Sequence, residues 1–173
     1  MEIIGDKLEA MLNGGDLRSI GEANEVVKLI HNQEDFDTLF GFLHNSDRLI
    51  VMRAADSIEK ASKTHNSYLD KHKFTLLDLM STATDKELKW HLAQLIVRLK
   101  LNDDEKSNMF EILKKWLLNK NESKIVRANS IQALYEISCN NESLTADFEK
   151  IVNIIKSENT PSLSARIRKL KMR

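Results

Sequence analysis

A helical pattern recurs along this chain at intervals of 38 residues. Segments that begin at Ile50, Leu88 and Val126 carry apolar residues at matching offsets, with Ser130 as a polar exception. Offsets 0, 4, 8 and 11 lie on one face of an α-helix. The pattern therefore predicts three helices that each bury one face. The aligned residues are Ile50, Leu88, Val126; Ala54, Leu92, Ser130; Ala55, Ala93, Ile131; Ile58, Ile96, Leu134; and Ala61, Leu99, Ile137.

A second helix is predicted before each of these segments. A Phe-x-x-aliphatic pair recurs with spacings of 38, 36 and 38 residues, at Phe36/Leu39, Phe74/Leu77, Phe110/Leu113 and Phe148/Ile151. Each unit is then a helix A, a turn and a helix B, and a shorter fourth helix B aligns from Leu163. One such pair cannot bury its apolar face alone, so neighbouring pairs must stack.

The pattern predicts one all-α domain over residues 1–173, a right-handed α-α superhelix of about four helical hairpins with an N-terminal helical cap. The hairpins span 35–63, 67–100, 103–139 and 144–173, and the cap spans 1–31. Two cap helices are expected, near residues 2–12 and 17–31, the second carrying Leu17, Ile20, Val27 and Ile30. The turn signal Asn13-Gly14-Gly15-Asp16 separates them.

Two stretches resemble the B helices of HEAT repeats. They are Asp47-x-x-Ile50-x-x-Arg53-Ala54-Ala55-x-x-Ile58 and Val126-Arg127-x-x-x-Ile131-Gln132-Ala133-Leu134. The strings MRAADSIEKAS and KWHLAQLIVRL also look like those of uncharacterised bacterial HEAT-repeat proteins. The resemblance covers roughly residues 16–173 and implies a HEAT/armadillo-like solenoid without an assigned activity. The period lies just below the ~40–47 residues of such units and above the ~34 of tetratricopeptide units.

Charge is balanced overall but unevenly distributed. The chain has 26 basic and 26 acidic residues, yet residues 1–46 carry nine acids against three bases, and residues 161–173 carry five bases and no acid. The two ends are either ordinary solvated surfaces, or the basic segment is a patch for an acidic partner. No run is long and apolar enough for a membrane span, and the start lacks a signal-peptide layout. A cytoplasmic protein without membrane association is expected.

Motifs for catalysis or cofactor binding are absent from the sequence, which has no Gly-rich phosphate loop, G-x-S-x-G, H-E-x-x-H or C-x-x-C. His65 and His72 are seven residues apart, and a shared metal ion would need closer helical spacing or a third ligand such as Asp70. We therefore expect a solvated turn here and no metal site. Cys139, the single cysteine, is expected to be inert and half-buried. We therefore expect no metal, no cofactor and no enzymatic activity.

Polar residues occupy offsets three, six and ten of every predicted B helix, and Trp90 lies beside them at offset two. In HEAT solenoids the B helices line the concave, partner-binding surface. We expect these residues to form a polar stripe that binds a protein or peptide, as in an adaptor or scaffold, although any amphipathic helix has a polar face. They are Arg53, His91, Asn129 and Arg166; Asp56, Gln94, Gln132 and Lys169; and Lys60, Arg98, Glu136 and Arg173.

Two alternatives stay open. HEAT-like DNA glycosylases that excise alkylated purines share this architecture and use a cationic channel with aromatic residues and an acid. Trp90, Arg53, Arg98 and Asp56 offer those residue types, but the mixed charge of the stripe suits a polypeptide better than a phosphate backbone. The chain is alternatively a subunit whose apolar solenoid end packs on another chain. The sequence does not determine its oligomeric state.

Overall fold

The computed structural model describes residues 4–14 and 22–170, and every regular element within those residues is helical. The result confirms the predicted all-α fold class. Short 3-10 segments cover Phe42–His44, Asn66–His72 and Ile96–Arg98. The α-helices are α1 Ile4–Leu12, α2 Ala23–Lys28, α3 Gln33–Gly41, α4 Arg48–Thr64, α5 Lys73–Thr82, α6 Lys86–Leu95, α7 Asp103–Leu118, α8 Lys124–Ser138, α9 Glu142–Ser157 and α10 Pro161–Leu170.

The chain divides into two compact units, Met1–His72 (unit 1) and Lys73–Arg173 (unit 2). In unit 1, the long helix α4 packs against α1, α2 and α3. Of the predicted second cap helix, the described residues contain only α2, with Val27 half-buried and Ile30 buried. Leu17 and Ile20 lie outside the described residues.

Unit 2 contains three helix pairs, α5/α6, α7/α8 and α9/α10. The A helices α5, α7 and α9 are successive neighbours, and so are the B helices α6, α8 and α10. The apolar residues predicted to align in the B-helix pattern are all buried, in unit 1 as well as unit 2, and so is Ser130. The predicted register of the B helices is therefore confirmed.

The predicted register of helix A is wrong at α5. Phe74 is 79% exposed, whereas Phe36, Phe110 and Phe148 are buried. Lys73 occupies the equivalent position, since Leu76 and Met80 are the buried residues that follow it at the helical spacing. The true steps are then 37, 37 and 38 residues.

The prediction matched Phe74 to the other phenylalanines because all are aromatic. A shift of one residue, however, rotates a side chain by about 100° around the helix, so Phe74 points away from the buried face. Lys73 makes polar contacts at the phenylalanine position. Its Nζ lies 2.6 Å from a Glu105 carboxylate oxygen and donates to the Lys100 carbonyl at 2.8 Å. The hydrogen bond and charge of Lys73 lower the pKa of Glu105.

Candidate interaction surface

Arg53, predicted to lie on the exposed stripe, is buried in unit 1, with 1% of its surface exposed. Its Nη1 donates to the carbonyls of Leu12 and Asn13, at 2.9 and 3.0 Å. Carbonyls at the C-terminal end of a helix have no partner within that helix. The guanidinium group therefore caps α1 and ties it to α4.

The same face of α4 makes further contacts with the N-terminal segment. Ser57 Oγ donates to the Ala23 carbonyl at 3.2 Å. Lys60 Nζ donates to Asn24 Oδ1 and to Asp56 Oδ2, both at 2.6 Å. Asp56 is 9% exposed and Lys60 is half-buried. The expectation that Arg53 and Asp56 lie on an exposed stripe is therefore wrong, because the N-terminal helices use this face.

Offset three is also buried in unit 2, at His91 and Asn129. Asn129 Nδ2 donates to the Ile125 carbonyl one turn earlier, at 2.9 Å. The His91 ring lies against Trp90, with 3.5 Å between the ring centroids. Offset three lies about 60° from the core residue at offset zero. This edge is close enough to the buried face to be covered, so the predicted exposure was wrong here too.

The remaining predicted residues of unit 2 are at least partly accessible. Most are half-buried, and Lys169 is exposed. Because α6, α8 and α10 are successive neighbours, these residues come from three adjacent B helices, with Arg98 in the 3-10 segment that follows α6. Arg173 lies outside the described residues. We call this set the unit 2 stripe: Trp90, Gln94, Arg98, Gln132, Glu136, Arg166 and Lys169.

The stripe mixes three cations, one acid, two amides and one indole. Gln132 Nε2 donates to Glu136 Oε1 at 2.6 Å, and Gln94 Nε2 donates to the Trp90 carbonyl at 3.3 Å. These bonds stay within one helix. The amide oxygens are thus not used in them, and both amides can also accept or donate to a bound polypeptide.

A cleft of about 520 Å³ opens between α8, α9 and α10. Its apolar wall includes Tyr135, Phe148, Val152, Ile167 and Leu170. Sequence reasoning missed it, because residues of three helices form it and no local motif marks it.

Cys139 also lines this cleft. The side chain is exposed, not half-buried as expected. Its Sγ lies 3.2 Å from the Tyr135 carbonyl oxygen.

The histidines considered as metal ligands have other contacts. His72 Nε2 lies 2.6 Å from Asp37 Oδ1, and its ring stacks on Phe40 with 3.8 Å between centroids. His65 stacks on Tyr68, with 5.0 Å between centroids. Within residues 4–14 and 22–170, no three His, Cys, Asp or Glu side chains are grouped so that they could hold a metal ion.

Asp37 has a strongly shifted pKa. Partial burial raises this pKa, but hydrogen bonds from Lys71, Gln33 and His72 outweigh it and lower the pKa to about 2. Lys71 and His72 connect α3 to the 3-10 segment at the end of unit 1. The cluster is a charged contact inside unit 1, and the sequence pattern gave no sign of it.

A second buried cation, Arg127, ties unit 2 together. Its Nε donates to the Leu117 carbonyl and its Nη2 to Glu158 Oε2, both at 2.7 Å. The two side chains are only 5% and 12% exposed. Arg127 lies at offset one, away from the stripe, so this contact joins the ends of α7 and α9 to α8.

A family model described as a HEAT repeat domain matches residues 7–173. No curated protein and no solved structure matches the chain. No helix in the described part of the chain is long and apolar enough to cross a membrane.

Proposed function

Since the chain belongs to the HEAT-repeat family, we propose that it is a non-enzymatic interaction module, an adaptor or scaffold, that binds a protein or peptide through the unit 2 stripe. One observation supports this proposal above the others. At offset six, Asp56 of α4 is buried, whereas Gln94, Gln132 and Lys169 stay accessible on the three adjacent helices α6, α8 and α10.

The chemistry of the stripe suits a polypeptide. Gln94 and Gln132 offer amides that can pair with a peptide backbone, and the guanidinium groups of Arg98 and Arg166 can bind carboxylates bidentately. Trp90 supplies the kind of large, partly exposed side chain that often carries much of the binding energy at an interface. A phosphate backbone would instead favour Lys and Arg along the whole surface.

The nucleic-acid alternative is not favoured by a specific observation. It relies on Arg53 and Asp56 reaching a ligand, and both are buried against other parts of unit 1. For the same reason, Arg53 is unsuitable for testing binding, because its replacement would disturb the fold.

The test is affinity purification of the tagged chain from its native cell, followed by mass spectrometry. The variant Gln94→Arg/Gln132→Arg places two bulky charges on the stripe. The control Ser81→Arg/Asn108→Arg places the same charges on exposed positions of α5 and α7. We expect a protein that is recovered with the wild type and the control but lost with the stripe variant, at unchanged thermal melting. Equal recovery with both variants would refute the proposal, and recovery of nucleic acid alone would favour the alternative.

A further inference from the structure

The two compact units carry opposite net charges. Unit 1 has 13 acids and 8 bases, a net of −5, and unit 2 has 13 acids and 18 bases, a net of +5. The excess is concentrated in two segments. Residues 1–46 have a net charge of −6, and residues 161–173 have a net charge of +5. Surfaces of opposite sign attract each other over roughly the Debye length, about 10 Å at 0.1 M salt.

The basic excess includes three side chains on α10, Arg166, Arg168 and Lys169. Arg168 and Lys169 are exposed and Arg166 is half-buried. Within the described part of the chain, none of the three makes an ion pair or a side-chain hydrogen bond. This contrasts with Lys73, Lys89 and Arg127 of the same unit, which pair with carboxylates. The cations of α10 are therefore available to external carboxylates.

The cleft lies along the same helix as these cations, although none of the three lines it. Ile167 and Leu170 of the same helix line it, opposite Phe148 and Val152 of α9. The cleft's own charged side chains, Glu149 and Lys156, have opposite signs. A partner that combines carboxylates with apolar side chains would thus find both kinds of contact here.

Unit 1 presents a surface of that chemistry. Seven of its described acids are exposed, and five of them lie on or beside α1, α2 and α3: Asp6, Glu9, Glu22, Glu25 and Glu34. Val27 and Leu29 lie between the last two in sequence and are only half-buried. Half-buried apolar side chains therefore lie in the same group of adjacent helices as these acids.

We propose that copies of this chain associate head to tail, with the acidic surface of unit 1 in one copy docked on α10 and the adjoining cleft in unit 2 of a second copy. The contact joins two different surfaces, so one copy of a pair keeps its basic surface unused and the other keeps its acidic surface unused. Such a heterologous contact extends into a chain of copies unless its geometry closes a ring. The inference does not rest on the proposed partner, since it requires only the purified chain.

The first experiment is sedimentation of the purified full chain over a range of concentrations. At low salt we expect a mass that rises with concentration beyond that of two chains. At about 0.5 M salt we expect a return to one chain, because surface charges are screened there. A mass of one chain at every concentration in low salt would overturn the proposal, and it would leave the partner-binding proposal untouched.

Charge removal distinguishes this contact from a symmetric dimer. Arg168→Gln/Lys169→Gln neutralises the basic surface, and Glu22→Gln/Glu34→Gln neutralises the acidic one. Each variant alone should sediment as one chain. Their mixture should form a species of two chains that does not grow, since each variant keeps one intact surface. The control Lys115→Gln/Lys120→Gln makes the same charge change at exposed positions elsewhere in unit 2 and should associate like the wild type.

Failure of the mixture to associate, or wild-type association of either variant alone, would overturn the head-to-tail contact. Cys139 supplies a second readout, since it is the chain's single cysteine and lines the cleft. Its reaction with a thiol reagent should slow several-fold when the wild type associates at low salt. An unchanged rate would show that the cleft is not part of the contact.

Discussion

The B helices α4 and α8 share one apolar pattern but have different surroundings at their polar offsets. In α4, Arg53 and Lys60 reach out to residues of the N-terminal segment. In α8, Asn129 and Gln132 bond within their own helix. The comparison shows that the offset fixes the direction in which a side chain leaves the helix, whereas the neighbouring element decides whether the side chain is covered.

The polar B-helix residues of the two units therefore have different roles, in stability in unit 1 and, as we propose, in binding in unit 2. Unit 1 uses its polar B-helix face to hold its own helices together, so substitutions there should mainly destabilise the fold. Unit 2 buries offset three at His91 and Asn129 but leaves offsets six and ten partly accessible, and it places its internal cation, Arg127, at another offset. Substitutions on the unit 2 stripe should therefore affect stability little.

The largest effect is expected at Arg127. This residue is an exception in the comparison, because it is a buried cation that stabilises unit 2 from inside. Arg127→Met removes the partner of the nearly buried Glu158 carboxylate and the donor to the Leu117 carbonyl. Breaking such a pair costs about 3–5 kcal/mol, and we expect a loss near the lower end in urea unfolding. The control Gln132→Ala should lose less than about 0.5 kcal/mol. Equal losses would contradict the assignment of Arg127 as the internal tie of unit 2.

An intermediate, pH-dependent effect is expected at Asp37 in unit 1. The pKa of Asp37 falls from 3.8 to about 2 on folding, so the ionised carboxylate stabilises unit 1 above pH 3.8. This contribution of about 2 kcal/mol disappears as the pH falls through about 2. Asp37→Asn should therefore lower the free energy of unfolding at pH 5, and the gap to the wild type should close toward pH 2. A gap that stays constant from pH 5 to pH 2 would show that this carboxylate does not titrate as described.

A smaller effect is expected at Lys60, whose side chain is 29% exposed. Lys60→Met keeps the length of the side chain but removes the bonds to Asn24 and Asp56. A loss of about 1 kcal/mol is expected in urea unfolding, as for a hydrogen bond to a charged group at a partly solvated site. Lys169→Met on the stripe is the matched control, with an expected change of less than about 0.5 kcal/mol. Identical stabilities of the two variants would remove Lys60 from the internal contacts of unit 1.

Apolar periodicity was sufficient to predict the helix pairs and the buried B-helix positions, because burial of one helical face leaves a repeating mark in the sequence. It was insufficient at α5, where an aromatic residue lies one position away from the buried face. Phe74 was aligned because it is aromatic, whereas Lys73 occupies the equivalent position and contacts the Glu105 carboxylate and the Lys100 carbonyl. A charged residue at a repeat position gives no apolar signal, so only its contacts identify it.

The candidate surface was predicted only in part, because the sequence pattern does not show what a polar residue contacts. Polar residues at regular offsets suggested exposure, and Gln94, Arg98 and Gln132 are indeed partly accessible. A buried polar residue with partners has the same sequence signal as an exposed one, so Arg53 and His91 were misplaced. The cleft beside α10 had no signal, since residues far apart in sequence form it.

The most direct test compares Arg53 with Arg166, two arginines at offset three of the same pattern. Urea unfolding of Arg53→Met and Arg166→Met measures what each guanidinium group contributes to stability. We predict a loss of about 3 kcal/mol for Arg53→Met, because the Leu12 and Asn13 carbonyls lose a charged donor, and a change below about 0.5 kcal/mol for Arg166→Met. Equal losses in the two variants would contradict the conclusion that the N-terminal helices cover offset three of α4, whereas offset three of α10 stays accessible.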